Sequence, residues 1–317
     1  VIEVSNASRT LLMDLARRAW DPAMCELLRV PPTVLPKIVP TAGEIARTHS
    51  MPGLPDGIVI AGMAGDQQAA LFGQACFGVG DAKCTYGTGA FVLVNAGSQP
   101  VVSRSGLLST VGWQIGPDVV YALEGSSFVA GAAVQWLRDG LGLIASASEV
   151  ETLAASVDSS DGVSFVPALS GLGAPYWDPE ARGLICGLTR GSTRAHLARA
   201  TLEGIALSVN DLLGAMAADL GEPLGRMRVD GGAAANDLLM QFQSDVGNLV
   251  VERPSELEST ARGAAMLAGI GAGLFRTGAD ASQMITVDRT FQPSMAEAVR
   301  SERLAGWRDA VRRSRSV

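Results

Sequence analysis

Histidine is almost absent from the 317 residues: only His49 and His196 occur. Neither a histidine-based triad nor a histidine metal centre is therefore expected. Cysteine is scarce too. Cys25, Cys76, Cys84 and Cys186 lie far apart with no C-x-x-C pair, so they read as reduced thiols and not as a disulfide frame or zinc site. The longest apolar run, "GAAMLAGIGAGLF", is too short and glycine-rich to span a bilayer, and no secretory signal pattern is visible. Positive charge is in deficit. With 25 Lys and Arg against 32 Asp and Glu, a net charge of −7 argues against nucleic acid as a partner. The basic tail "WRDAVRRSRSV" is the exception and reads as a solvated helix. The P-loop pattern GxxxxGK[ST] and the HRD and DFG motifs of protein kinases are also missing.

What is present is ordinary globular material, 47% hydrophobic and 18% charged, in a chain long enough for about two domains. The pattern is α/β. A helix is expected over 6–19, then a proline-studded connection, then a strand "GIVIAGMAG" running into a helix that starts near Asp66. "DAKCTYGTGAFVLVNAG" reads as a hairpin with a Gly-Thr-Gly tip. "VYALEGSSFVAGAAVQWLRDGLGLI" reads as a strand and a long helix, and "RAHLARATLEGIALSVNDLLGAMAADLG" as a periodic helix ending at Gly221. "RMRVDGGAAANDLLMQFQSDVGN" gives strand, double glycine and helix, followed by a small-residue helix and the tail helix.

Four places draw attention. Asp66, Gln67 and Gln68 sit where a strand's C-terminal end passes into a helix, which is where open α/β sheets bind ligands. An acid there is also a common N-cap. Gly87 and Gly89 flank Thr88, a turn whose backbone can cradle phosphate or simply reverse the chain. Gly131 and Gln135 share one helix face, and the small residues at 130–133 admit a ligand or, more commonly, another helix. In "VDGGAAAN", Gly231 and Gly232 leave room for a base or ribose that Asn236 can bond, or form a tight turn capped by Asp230. Together they suit ATP-dependent phosphoryl transfer, which asks of a protein chiefly positioning, charge stabilisation and a proton acceptor.

The motifs "AGDQQAALFGQ", "TYGTGAF", "GLGAPYWDPEARG", "GLICGLTRGSTRAHLARATLE" and "VDGGAAAND", continuing as "LLMQFQSD", resemble the FGGY carbohydrate kinases in sequence and in order, most of all those acting on glycerol. The resemblance implies the actin/hexokinase/Hsp70-like ATPase fold, built of ribonuclease H-like domains. It implies phosphorylation of glycerol with ATP and Mg2+, in a cytoplasmic homo-oligomer with no nucleic-acid partner. On that basis Asp66 is the general base and faces the metal, and Asp66, Gln67 and Phe91 bind the polyol. Gly87, Thr88 and Gly89 form the phosphate hairpin, and Gly131, Gln135, Gly231, Gly232 and Asn236 the nucleotide pocket. Two departures stand out. The family's D-x-G-T turn does not occur in these residues, so 1–75 is expected to be the end of the first domain and 76–317 the second, an incomplete and inactive part. The loop "SMPGLPDGIV", where some members bind a sugar bisphosphate, carries Asp56 and no Arg or Lys. Another sugar or polyol kinase of the family, or a non-catalytic nucleotide-binding module, remains as an alternative.

Overall fold

The computed structural model describes residues 1–316. Its centre is a nine-stranded sheet. In chain order the elements are β1 (Ala42–Arg47), β2 (Val59–Gly62), α1 (Asp66–Gly73), β3 (Asp81–Tyr86), β4 (Ala90–Gly97), β5 (Leu108–Ile115) and β6 (Asp118–Ser127). There follow α2 (Gly131–Asp139), α3 (Glu149–Ala155), α4 (Arg194–Leu220), β7 (Arg226–Asp230), α5 (Asp237–Gly247), β8 (Val250–Pro254), α6 (Ser259–Gly271), β9 (Val287–Phe291) and α7 (Glu297–Ser314). The sheet order is β9-β8-β7-β3-β4-β6-β5-β1-β2. β3, β7 and β8 run parallel, whereas β3-β4-β6-β5 is an antiparallel run that begins with the expected β3–β4 hairpin and in which β6 inserts between β4 and β5.

Alternation along the strands assigns each face its work. Cys84, Val92 and Val229 point to one side and join the main core under α4 and α5, with Ile205, Leu212 and Leu239. Leu93 points to the other side, into a smaller core with Leu71 and Phe72 of α1 and Met266 and Leu267 of α6. On that second face the sheet also buries Lys83, Glu124 and Asp230. Charge in a buried sheet face needs partners, so this is where chemistry is to be sought. α1 and α6 pack almost backbone to backbone: a Cβ on Gly263 would lie 1.8 Å from the Ala69 carbonyl oxygen. That contact accounts for the small residues of both helices.

The N-terminal expectation fails. No helix covers 6–19; there is one turn, Val4–Ala7, then short strands Met13–Asp14 and Ala19–Trp20. Its N-cap is Glu3, in place of Asn6 or Ser8. The hydroxyls of Ser8 and Thr10 bond back to the Ser5 and Ala7 carbonyls, and Leu11 takes a left-handed φ of 64°, so local polar bonds defeat helical propensity. α2 is likewise shorter than expected, stopping before Gly140. α4 ends at Gly221 with φ 76°, as its glycine signals. No disulfide links the four cysteines.

The tail helix α7 is not simply solvated. Trp307, Ala310 and Val311 are buried, and Trp307 Nε1 donates to Asp211 Oδ2 at 2.7 Å. Tyr176 Oη donates to the same oxygen at 2.8 Å. Burial pushes the Asp211 carboxyl up to about 6, against the pull of these two donors and Arg308. A folded-state pKa above the unfolded value means that the native state binds the extra proton. Stability is therefore lost as pH rises from about 4 through 6. Asp211→Asn keeps the acceptor and removes the charge. It should stabilise by about 2–3 kcal/mol at pH 8 and by almost nothing near pH 4, read as melting temperature against pH.

Candidate functional site

The turn after β2 is fixed from beneath. Fully buried Glu3 accepts hydrogen bonds from Ser5 and Thr41, and Ser5 Oγ accepts the Gly65 N–H at 2.9 Å. Gly65 is the N-cap of α1, so Asp66 is its first helical residue and the capping reading is corrected. The Asp66 carboxylate is exposed. Its Oδ1 accepts the Gln67 N–H at 2.7 Å, and the positive end of α1 favours its charge. Gln67 is half-buried, and its Oε1 accepts from Lys83 Nζ. Gln68 turns inward instead, with Nε2 donating to Thr110 Oγ1 at 3.1 Å. The two amides therefore have different partners: Gln67 meets the buried Lys83, and Gln68 the hydroxyl of Thr110.

Lys83 is fully buried in the middle of β3 and donates to Thr85 Oγ1 at 2.9 Å as well. Burial pushes its ammonium down, opposed by the charges of Asp230 and Glu124. Register puts Lys83, Leu93 and Glu124 in one row across the sheet and Thr85, Phe91 and Ser126 in the next. Phe91 is 37% exposed, an open apolar plate on the face that carries α1. Arg9 reaches Glu124 at 2.9 Å. Asp230 does not cap the following helix; it accepts from Gln74 Nε2 at 3.0 Å and from Ser259 Oγ, while its other oxygen is buried without a partner.

At the end of β3 the Gly87–Gly89 turn meets α2. The first N–H groups of α2 are used on the turn: Ala130 and Ala132 donate to the Thr88 carbonyl at 2.8 and 3.1 Å, and Gly131 donates to Gly87 at 2.9 Å. Gly131 must be glycine because a Cβ would stand 2.6 Å from the Gly87 oxygen. The small residues here admit the hairpin, not a second helix. Beside this joint opens a cavity of about 570 Å³, lined among others by Gly87, Thr88, Gly131, Gln135, Gly232 and Asn236. The size suits a nucleotide-sized ligand. Gly231 shapes it from behind: its φ is 84°, and a Cβ would clash with Tyr86 O at 2.5 Å. Gly232 is different, since nothing lies within 4 Å of its missing Cβ. The protein does not fill that space. Asn236 caps α5 through Oδ1, accepting the Leu239 N–H at 2.8 Å, which leaves its NH2 to donate elsewhere.

Of the residues picked from sequence, six line the cavity, Gly89 and Gly231 support it, and Asp66, Gln67 and Phe91 belong to the charged sheet face. Lys83, Thr85, Glu124, Arg9 and the cavity residue Glu151 were missed. The one signal for Lys83 was a charge at an alternating position of an otherwise buried strand. No group of three or more His, Cys, Asp or Glu able to hold a metal occurs among the described residues.

A parallel core extended by antiparallel strands, with a glycine turn and a helix start beside a cavity, is the fold of the actin/hexokinase-like ATPases. Residues 82–272 match the C-terminal domain, and 1–73 the N-terminal domain, of the FGGY family of carbohydrate kinases. The chain belongs to that family. It is 54% identical to the glycerol kinase of Bdellovibrio bacteriovorus, over 98% of this chain and 63% of that relative. To the glycerol kinase of Myxococcus xanthus it is 55% identical, over 99% and 64%. The crystal structure of Plasmodium falciparum glycerol kinase with ADP superposes with a TM-score of 0.93 at 39% identity, over 98% of this chain and 63% of that one. The chain thus spans somewhat less than two thirds of these relatives' length.

Proposed function

We propose that the protein transfers the terminal phosphoryl group of ATP to glycerol, yielding glycerol 3-phosphate and ADP. The supporting observation is that β3 ties an acid to a cavity. Its Lys83 holds Gln67, which follows the exposed Asp66 in α1, and its last residue, Tyr86, leads into the turn that lines the nucleotide-sized space. The substrate hydroxyl gives its proton to Asp66 as its oxygen attacks the γ-phosphorus, and the bond to the bridging oxygen of ADP breaks. Gln67 holds the hydroxyl and Phe91 covers the carbon chain. Gly87, Thr88 and Gly89 hold phosphate oxygens. Gly131, Gln135, Gly231, Gly232 and Asn236 enclose the nucleoside.

A lone exposed carboxylate fits a magnesium ion carried mainly by phosphates and water, the usual arrangement for this metal. Asp66 would face it, and the ion would neutralise charge on the transferring group. In this reading residues 1–75 are the end of the first domain and carry Asp66 and Gln67, and 76–317 are the second, nucleotide-holding domain, which also lends Phe91 to the acceptor. The cytoplasm and a homo-oligomer are the setting it implies; among the described residues no helix is long and apolar enough to cross a membrane. The test is a coupled assay of the full-length protein with a panel of polyols and ketoses. Glycerol should lead by a wide margin, and a ketose preferred over glycerol would overturn the reading.

The loop before β2 gives a regulatory expectation. Asp56 there accepts from Ser50 N–H at 2.7 Å and lies 3.1 Å from His49 Nδ1, and residues 48–82 hold no Arg or Lys. A sugar bisphosphate needs such donors. Fructose bisphosphate should leave the rate unchanged; saturable inhibition abolished by changes at 53–57 would contradict this.

A further inference from the structure

Lys83 has no part in the nucleotide cavity, yet it is a fully buried cation beside the acceptor residues. A buried ammonium is expensive to hold, and an apolar side chain of similar length would fill the same space at no such cost. Its hydrogen bonds show what it does there: one to Gln67 Oε1 and one to Thr85 Oγ1. An ammonium has three donors and no acceptor, so the Gln67 atom that meets it has to be the oxygen. The amide NH2 is thereby turned away from the sheet.

We propose that Lys83 is a positioning residue that locks Gln67 as a hydrogen-bond donor toward the acceptor hydroxyl. The inference rests on the glycerol-kinase reading above. A hydroxyl carries one hydrogen and two lone pairs. If Gln67 offered its oxygen, it would compete with Asp66 for that one hydrogen. Offering NH2, it takes a lone pair and leaves the hydrogen for Asp66. Asp66 and Gln67 are the first two residues of α1, and by fixing the amide Lys83 leaves the carboxylate as the acceptor of the hydroxyl's hydrogen bond and then of its proton.

The test is a double-mutant cycle in the full-length protein with Lys83→Met, Gln67→Ala and their combination. Lys83→Met should lower kcat/KM for glycerol about 10-fold, the share of one directed hydrogen bond, with KM for ATP unchanged. In the Gln67→Ala background the same change should cost less than about 2-fold, since the two residues act as one unit. Additive losses, or a matching rise in KM for ATP, would overturn the proposal. A readout that needs no Lys83 variant is the side-chain amide signal of Gln67 in protein labelled with 15N-glutamine, assigned by its loss in Gln67→Ala. Glycerol should shift it in the unmodified protein, and no shift at saturation would also overturn the proposal. Wild-type protein without glycerol-dependent turnover would instead sink the underlying function, which separates the two failures.

Discussion

Asp66→Asn should reduce glycerol phosphorylation by about 10²–10⁴-fold in the full-length protein, the usual share of a positioned general base. The substitution is nearly isosteric. The amide oxygen can still accept the Gln67 N–H, and Gly65, not Asp66, caps α1. Folding should therefore be undisturbed, with a melting temperature close to wild type. Loss of the carboxylate's interaction with the helix N-terminus is a minor effect, about 0.3–1 kcal/mol at an exposed position. KM for ATP should also be little changed, because Asp66 does not line the cavity. A rate within a few-fold of wild type would assign Asp66 no part in proton transfer.

Gly232→Leu is the second large effect. Most glycines around the cavity serve the protein itself: side chains at Gly131 and Gly231 would strike backbone oxygens at 2.6 and 2.5 Å. Changes there would disturb the hairpin or the strand end and say little about a ligand. Gly232 borders open space, so leucine should be accommodated by the free protein without strain. If the cavity holds the nucleoside, the side chain takes the ligand's place. Forced overpacking costs roughly 1–3 kcal/mol, hence a loss of about 5- to 150-fold in ADP affinity, measured by calorimetry beside an unchanged melting curve. Unaltered ADP affinity would move the nucleotide elsewhere.

Much of this site was legible in the sequence because its parts are local. The Gly-Thr-Gly turn, the double glycine after β7 and the acid at the end of β2 are each marked by residues a few positions apart. α4 was legible through its period and its terminal glycine. What stayed hidden depends on distant partners. Glu3 is at a strand end in sequence, yet in space it is the buried anchor of the Gly65 turn, through Ser5, Asn6 and Thr41. Lys83 looks like any strand lysine until the register with Leu93 and Glu124 shows that its face is covered by α1 and α6. β9 was missed because "VDRTF" is exposed except for Phe291, so no alternation marks it. Of the two readings of the double-glycine turn, the one in which Asp230 caps the helix is excluded for a related reason. Its partners Gln74 and Ser259 lie outside that turn, and Asn236 provides the cap.

The central claim is that the Asp66 face and the glycine-lined cavity are separate parts of one site, the first for proton transfer and the second for holding the nucleotide. Titration of ADP into Asp66→Asn, set beside its turnover number, tests this most directly. The account predicts ADP affinity within about 3-fold of wild type, a difference under 1 kcal/mol, while turnover has collapsed. ADP affinity that falls in proportion to the rate would contradict it.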